Sequence, residues 1–302
     1  MDYRIIFNQI LILFIIMIIG FITARFKIID DTLNKGLSNL LMNITLPCLI
    51  ISTFDFSFSK KMAYNSALII IITFAVLIFS IYLSKFLYSK YEKKEQQVLR
   101  FITIFSNCGF MGFPVVSSIY GKEGLFYASM YNIAFNLIIW TYGLYLFSEK
   151  KDFNNIKRMF TNPAIVSTFI GILIFLFSIK LPSPLMGTLS MVGNMTVPIS
   201  MLVVGASLSN IRLIEMASGF KIYYVSFFRL LFIPVILLIV LKQFHLPNII
   251  MGSVVILTAM PAATLSTIFA EANGGAVKLA SKIIFISTIL SAVTIPIIIL
   301  LL

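Results

Sequence analysis

The chain is a succession of apolar runs, each about 20 residues long, parted by short clusters of charge. A run of that length crosses a hydrocarbon layer of about 30 Å. Inside lipid every backbone N–H and C=O must be satisfied internally, so the runs are expected to be helices. Only 11% of the residues are charged and the mean hydropathy is +1.03; a soluble domain carries roughly 25% charged residues. The net charge of +12 does not indicate a nucleic-acid binder, because the basic residues are spread over the loops between apolar runs. The first run, Ile5 to Thr23, is too long for the apolar region of a signal peptide, and no small-x-small cleavage site follows it. It reads as the first span. Cys48 and Cys108 both lie in apolar runs and read as small buried residues.

Ten spans are expected: 5–24, 35–54, 63–84, 98–120, 124–147, 161–180, 184–208, 219–241, 247–270 and 279–301. With the amino terminus outside, sixteen Lys and Arg fall in inside loops and six in outside loops, with Arg229 within a span. The loops at 55–62 and 211–221 are tied at two each. The excess puts both termini outside a cell membrane, bacterial inner or plasma.

The string Asn43-Ile44-Thr45-Leu46-Pro47 recurs 151 residues later as Asn194-Met195-Thr196-Val197-Pro198. Pro114 follows Pro47 by 67 residues, and Pro261 follows Pro198 by 63. Each half, 1–150 and 151–302, then holds five spans with prolines in its second and fourth. Five is odd, so the second half enters the membrane from the opposite side. Such inverted repeats are a signature of secondary transporters.

Span 4 places Asn107, Gly109, Gly112 and Pro114 within eight residues, a composition that breaks a helix. Span 9 has a milder break at Pro261-Ala262. Each break creates a half-helix whose N-terminus offers free N–H groups and partial positive charge. Two such termini converging at the midplane suit an anion such as a carboxylate. A plain kink accounts for Pro47 and Pro198 equally well. Amides within hydrocarbon are expected to face the interior: Asn107 as a ligand to substrate, Asn132 and Asn136 as glue between helices, and the repeat pair Asn43 and Asn194 as further candidate substrate contacts beside Gly109, Gly112, Pro114, Pro261 and Ala262. Arg229 either pairs with substrate or snorkels to the inner interface. None of the eleven acidic residues sits mid-span, and His245 lies near an outer boundary. Paired carboxylates, an HExxH string and a nucleophile with its base are all lacking, which argues against an intramembrane enzyme.

These motifs resemble the auxin efflux carrier family. Asn107-Cys108-Gly109-Phe110-Met111-Gly112-Phe113-Pro114 is similar to its Asn-x-Gly-x-x-Gly-x-Pro crossover, and Leu46-Pro47-Cys48-Leu49 to its span-2 motif. The run Pro198 to Leu208 resembles its span-7 motif, and Met260-Pro261-Ala262-Ala263 with Ala270 to Gly275 its span-9 motif. The resemblance implies an all-α fold of ten helices, with spans 4 and 9 crossing at Pro114 and Pro261 beside the substrate. It also implies a scaffold of spans 1, 2, 6 and 7, a transport domain of spans 3–5 and 8–10, and a homodimer. The short loop between spans 5 and 6 is that of bacterial members, which implies dicarboxylates such as malonate or malate more than auxin. The expected partners are a small organic anion and membrane lipid, with no cofactor and no nucleic acid. The alternatives are a sodium-coupled symporter of the bile-acid type, with Thr103, Ser106 and Thr264 as sodium ligands, and a membrane sensor.

Overall fold

The computed structural model describes residues 3–56, 59–147, 163–209, 219–272 and 275–302. Every regular element among them is a helix. In chain order these are α1 (Tyr3–Arg25), α2 (Asp31–Ser52), α3 (Lys60–Leu87), α4 (Lys93–Ile104), α5 (Phe113–Ile138), α6 (Leu144–Phe147), α7 (Pro163–Leu176), α8 (Ser183–Ser209), α9 (Phe220–Lys242), α10 (Asn248–Ala259), α11 (Leu265–Ala272) and α12 (Val277–Leu301). Six of the described helices, α1, α2, α3, α8, α9 and α12, are long and apolar enough to cross a membrane. α7 and α10 are apolar but shorter. The basic residues Lys150, Lys151, Lys157, Arg158 and Arg212, and Asn273-Gly274 of the span-9 motif, lie outside the described residues.

Local chemistry sets several boundaries. α2 begins at Asp31, four residues before the expected span, because the Asp30 carboxylate accepts from the Leu33 N–H at 2.7 Å and caps the helix. α5 bends at Gly121, where the expected spans 4 and 5 meet. Its φ of 59° and ψ of −146° belong to a region that only glycine enters readily.

Among the described residues four π-turns interrupt the helices: Leu41–Thr45, Cys108–Gly112, Ile139–Gly143 and Phe228–Phe232. Three of them end two residues before a proline: Pro47, Pro114 and Pro234. A proline cannot donate to the carbonyl four residues back and its ring collides with it, so widening the preceding turn relieves the clash.

α1 packs along the Thr196–Ser209 part of α8. The approach is close enough that a Cβ on Gly205 would collide with the Met17 carbonyl, and one on Gly20 with the Leu202 backbone. Small residues of this kind let helices meet where the hydrophobic effect gives no drive. The Leu46–Ser52 end of α2 packs on α7 and on the start of α8. α5 packs on α3 and α10, while α9 packs on α10 and α12.

Candidate functional site

The chain leaves helical geometry between α4 and α5, and again between α10 and α11. The two unwound segments meet. Ser106 and Ala262 form an antiparallel bridge. The Asn107 N–H donates to the Pro261 carbonyl at 2.8 Å, and the Ala263 N–H to the Phe105 carbonyl at 3.2 Å. A third tie comes from the Ala262 N–H, which donates to the Ser287 hydroxyl of α12 at 3.2 Å. Backbone groups freed from a helix are thus re-paired strand-like, which removes a cost of about 1–3 kcal/mol for each group left unsatisfied in a buried place.

Span 9 breaks at its proline. Met260, just before Pro261, is extended (φ −63°, ψ 151°), as the proline ring requires of its predecessor. Pro261 has no N–H for the Leu257 carbonyl four residues back. The Ser106 hydroxyl takes that place across the crossing, donating to the Leu257 carbonyl at 2.8 Å.

Span 4 breaks elsewhere than its proline, which corrects the expectation that the spans cross at Pro114 and Pro261. Pro261 is at the crossing, but its counterparts are Ser106 and Asn107. Pro114 lies seven residues into the helix that Asn107 caps, and its missing N–H is accommodated by the π-turn Cys108–Gly112 that precedes it. The residue that restarts the helix is Asn107: its side-chain oxygen accepts from the Phe110 N–H at 3.3 Å, an N-cap. Its backbone carbonyl accepts from Met111 and Gly112, each at 3.2 Å. The N–H groups of Cys108 and Gly109 reach no backbone carbonyl among the described residues. Asn107 is 5% exposed, and its amide nitrogen makes no hydrogen bond among the described residues.

The carbonyls orphaned by this break are those of Thr103 and Ile104. Arg229, from the π-turn of α9, donates to both through Nη1, at 3.0 and 3.2 Å. At 1% exposure it does not snorkel; it is wholly inside the helix packing, at the end of α4. Its Nε and Nη2 have no partner among the described residues.

The other expected site residues divide. Gly109 faces open space, with nothing within 4 Å of where a side chain would start. Gly112 is a packing gap, since a Cβ would stand 2.7 Å from Leu257 Cδ2. Ala262 is fully buried at the crossing. Asn43 and Asn194 are both exposed, and Asn43 donates to the Asn39 carbonyl of its own helix at 2.9 Å. The expectation that they face the interior is therefore corrected: an amide can satisfy itself against its own helix and needs no place at the crossing. Asn132 and Asn136 are buried and bond to each other along one helix at 2.8 Å, not between helices. The Thr103 hydroxyl donates to the Leu99 carbonyl at 2.9 Å and meets the Tyr88 hydroxyl at 3.0 Å. Thr264, in the turn before α11, has its carbonyl taken by the Thr267 hydroxyl at 2.8 Å.

Sequence reasoning missed Ser287, the Leu257 carbonyl and Pro234. Only Pro234 left a signal, a proline five residues after a mid-span arginine.

Comparison with known proteins follows the same lines. An uncharacterized transporter of Methanocaldococcus jannaschii is 23% identical over 301 residues, covering 95% of this chain and 96% of its own. An uncharacterized transporter of Methanothermobacter thermautotrophicus is 31% identical over 193 residues, 63% of each chain. The uncharacterized transporter YfdV of Escherichia coli is 22% identical over 278 residues, 87% of each. The pattern of the family described as membrane transport protein matches residues 5–299. The chain is a multi-pass membrane protein and belongs to this transporter family, that of the auxin efflux carriers.

Proposed function

We propose that the chain is a secondary transporter that moves a small organic anion across the membrane by alternating access. The observation that carries this reading is the crossing itself. Two half-helix starts and a capping asparagine meet in a buried place beside the unpaired guanidinium edge of Arg229. The span-4 start, the Asn107 amide and the Arg229 edge offer N–H groups, and no carboxylate is among them. A site with unpaired N–H donors, a cation and no carboxylate favours an anion.

The same reading takes ten spans in two inverted halves, 1–150 and 151–302, with both termini outside and two copies associating. The packing of α1 on α8 and of α2 on α7 supports a scaffold of spans 1, 2, 6 and 7. The packing of α5 on α3 and α10, and of α9 on α12, supports a separate transport domain. Reporter fusions after Glu95 and after Lys151 should both read cytoplasmic; an outside signal from either contradicts the inverted halves.

Binding is tested with malonate, malate, acetate and indole-3-acetate on purified protein, read as thermal stabilisation. A ligand at a hundred times its Kd adds about 2.7 kcal/mol. Asn107→Asp preserves the cap, since Asp and Asn cap equally well, but replaces the free amide donor with a negative charge. We expect wild type to be stabilised and Asn107→Asp to fold but not respond. Stabilisation of the wild type by cationic amines instead, or an unchanged response in Asn107→Asp, would remove the basis of the reading.

A further inference from the structure

We propose that Arg229 is the carboxylate receptor of this site: Nη1 caps the broken end of α4 while the Nε–Nη2 edge grips a carboxylate group with two parallel hydrogen bonds. This rests on the organic-anion reading above and assigns its charge-bearing contact.

The guanidinium lacks partners for most of its donors. Arg229 is buried to 1% exposure in the middle of an apolar helix, and no acidic side chain among the described residues pairs with it. A buried, uncompensated cation is strongly unfavourable, and a guanidinium carries five N–H donors to satisfy. Only Nη1 is used, on the carbonyls of Thr103 and Ile104. A cation at a helix C-terminus needs no more than that, and a lysine would serve. The unpartnered atoms are not a random pair. Nε and Nη2 form the side edge of the guanidinium, whose two N–H bonds run parallel at the spacing of the two oxygens of a carboxylate. A carboxylate there supplies both the missing acceptors and the missing charge.

Placement agrees. Arg229 holds the last carbonyls of α4, and the capping Asn107 follows Ile104 by three residues. Arg229 sits in a π-turn that Pro234 enforces, and π-turns of this kind recur at functional sites.

The test uses purified full-length protein with malonate, malate and indole-3-acetate as probes. Arg229→Lys retains charge and a donor for the α4 carbonyls but loses the fork. Arg229→Gln retains a donor without charge. We expect at least one of them to keep its ligand-free melting temperature within a few degrees of wild type and to bind at least tenfold more weakly. Wild-type affinity in either folded variant assigns Arg229 to capping alone and overturns the proposal. A second measurement needs no variant. The chain has six arginines, so arginine-labelled wild type gives at most six Nε–H signals. The slowly exchanging buried one should move when a carboxylate binds, and a static signal under saturating ligand overturns the proposal. If wild type binds none of the probes, the organic-anion reading falls and takes this one with it. If wild type binds and Arg229→Lys binds equally, this one falls alone.

Discussion

The two broken spans reach one geometry by different chemistry. Span 9 is broken by a residue that cannot be helical there: Pro261 withholds an N–H, pushes Met260 into extended geometry and frees the Leu257 carbonyl. Span 4 is broken by residues that merely permit it. Asn107 restarts the helix with its side chain, and Arg229, from a distant helix, holds the carbonyls left behind. One break is built into the backbone. The other exists only while side chains from elsewhere support it, and those side chains carry the donors and the charge. The polar side chains and the charge are therefore concentrated on the span-4 side of the crossing.

The largest expected effect is on the span-9 side. Pro261→Ala restores an N–H that reaches the Leu257 carbonyl, so α10 should extend through the crossing and compete with the Ser106 bond. We expect inserted protein whose uptake falls at least about tenfold, equivalent to ~1.4 kcal/mol or more in the barrier. Normal uptake would mean that the crossing survives without its proline and that the two breaks are alike after all. Next in size is Ser106→Ala, which leaves the Leu257 carbonyl unpaired in a buried place, at a cost of about 1–3 kcal/mol in thermal stability. An unchanged melting temperature would show that this cross-tie contributes nothing. Asn107→Ala removes a cap, worth about 1 kcal/mol, and hydrogen exchange should speed at Phe110 and Met111 but not at Ser266 and Thr267. Equal changes at both places would erase the distinction between the spans. Smallest of all, Pro114→Ala should shift stability by less than about 1 kcal/mol and leave uptake near normal, because the π-turn before it already accommodates the proline and the break lies at Asn107. A large loss there would restore Pro114 to the break.

What the sequence disclosed follows the range over which each signal acts. Pro261 acts on its own neighbours, so the span-9 break was legible to the residue. The Gly and Pro cluster of span 4 revealed that a break exists, but not its position. A proline can be absorbed by a widened turn without breaking the chain there, and the deciding contact is the Asn107 cap. Arg229 was visible as a buried-charge puzzle. Its partners are 125 and 126 residues away in sequence, and nothing local gives the rotation of a helix. Asn43 and Asn194 stand in matching strings, yet their exposure depends on helix rotation, which a string does not give. Long apolar helices such as α3 and α12 are legible as spans from composition alone. The pieces of a broken span are too short for that measure.

The crossing also has a mechanical meaning. Two backbone bonds and the Ser106 hydroxyl fasten α4–α5 to α10–α11 at a single point, and the Ala262 bond to Ser287 fastens that point to α12. At a joint pinned this way, sliding, rotating or changing the depth of one broken span alone requires breaking these bonds. Any anion held there is cargo on a rivet. It cannot be handed from one span to the other, and must ride with both.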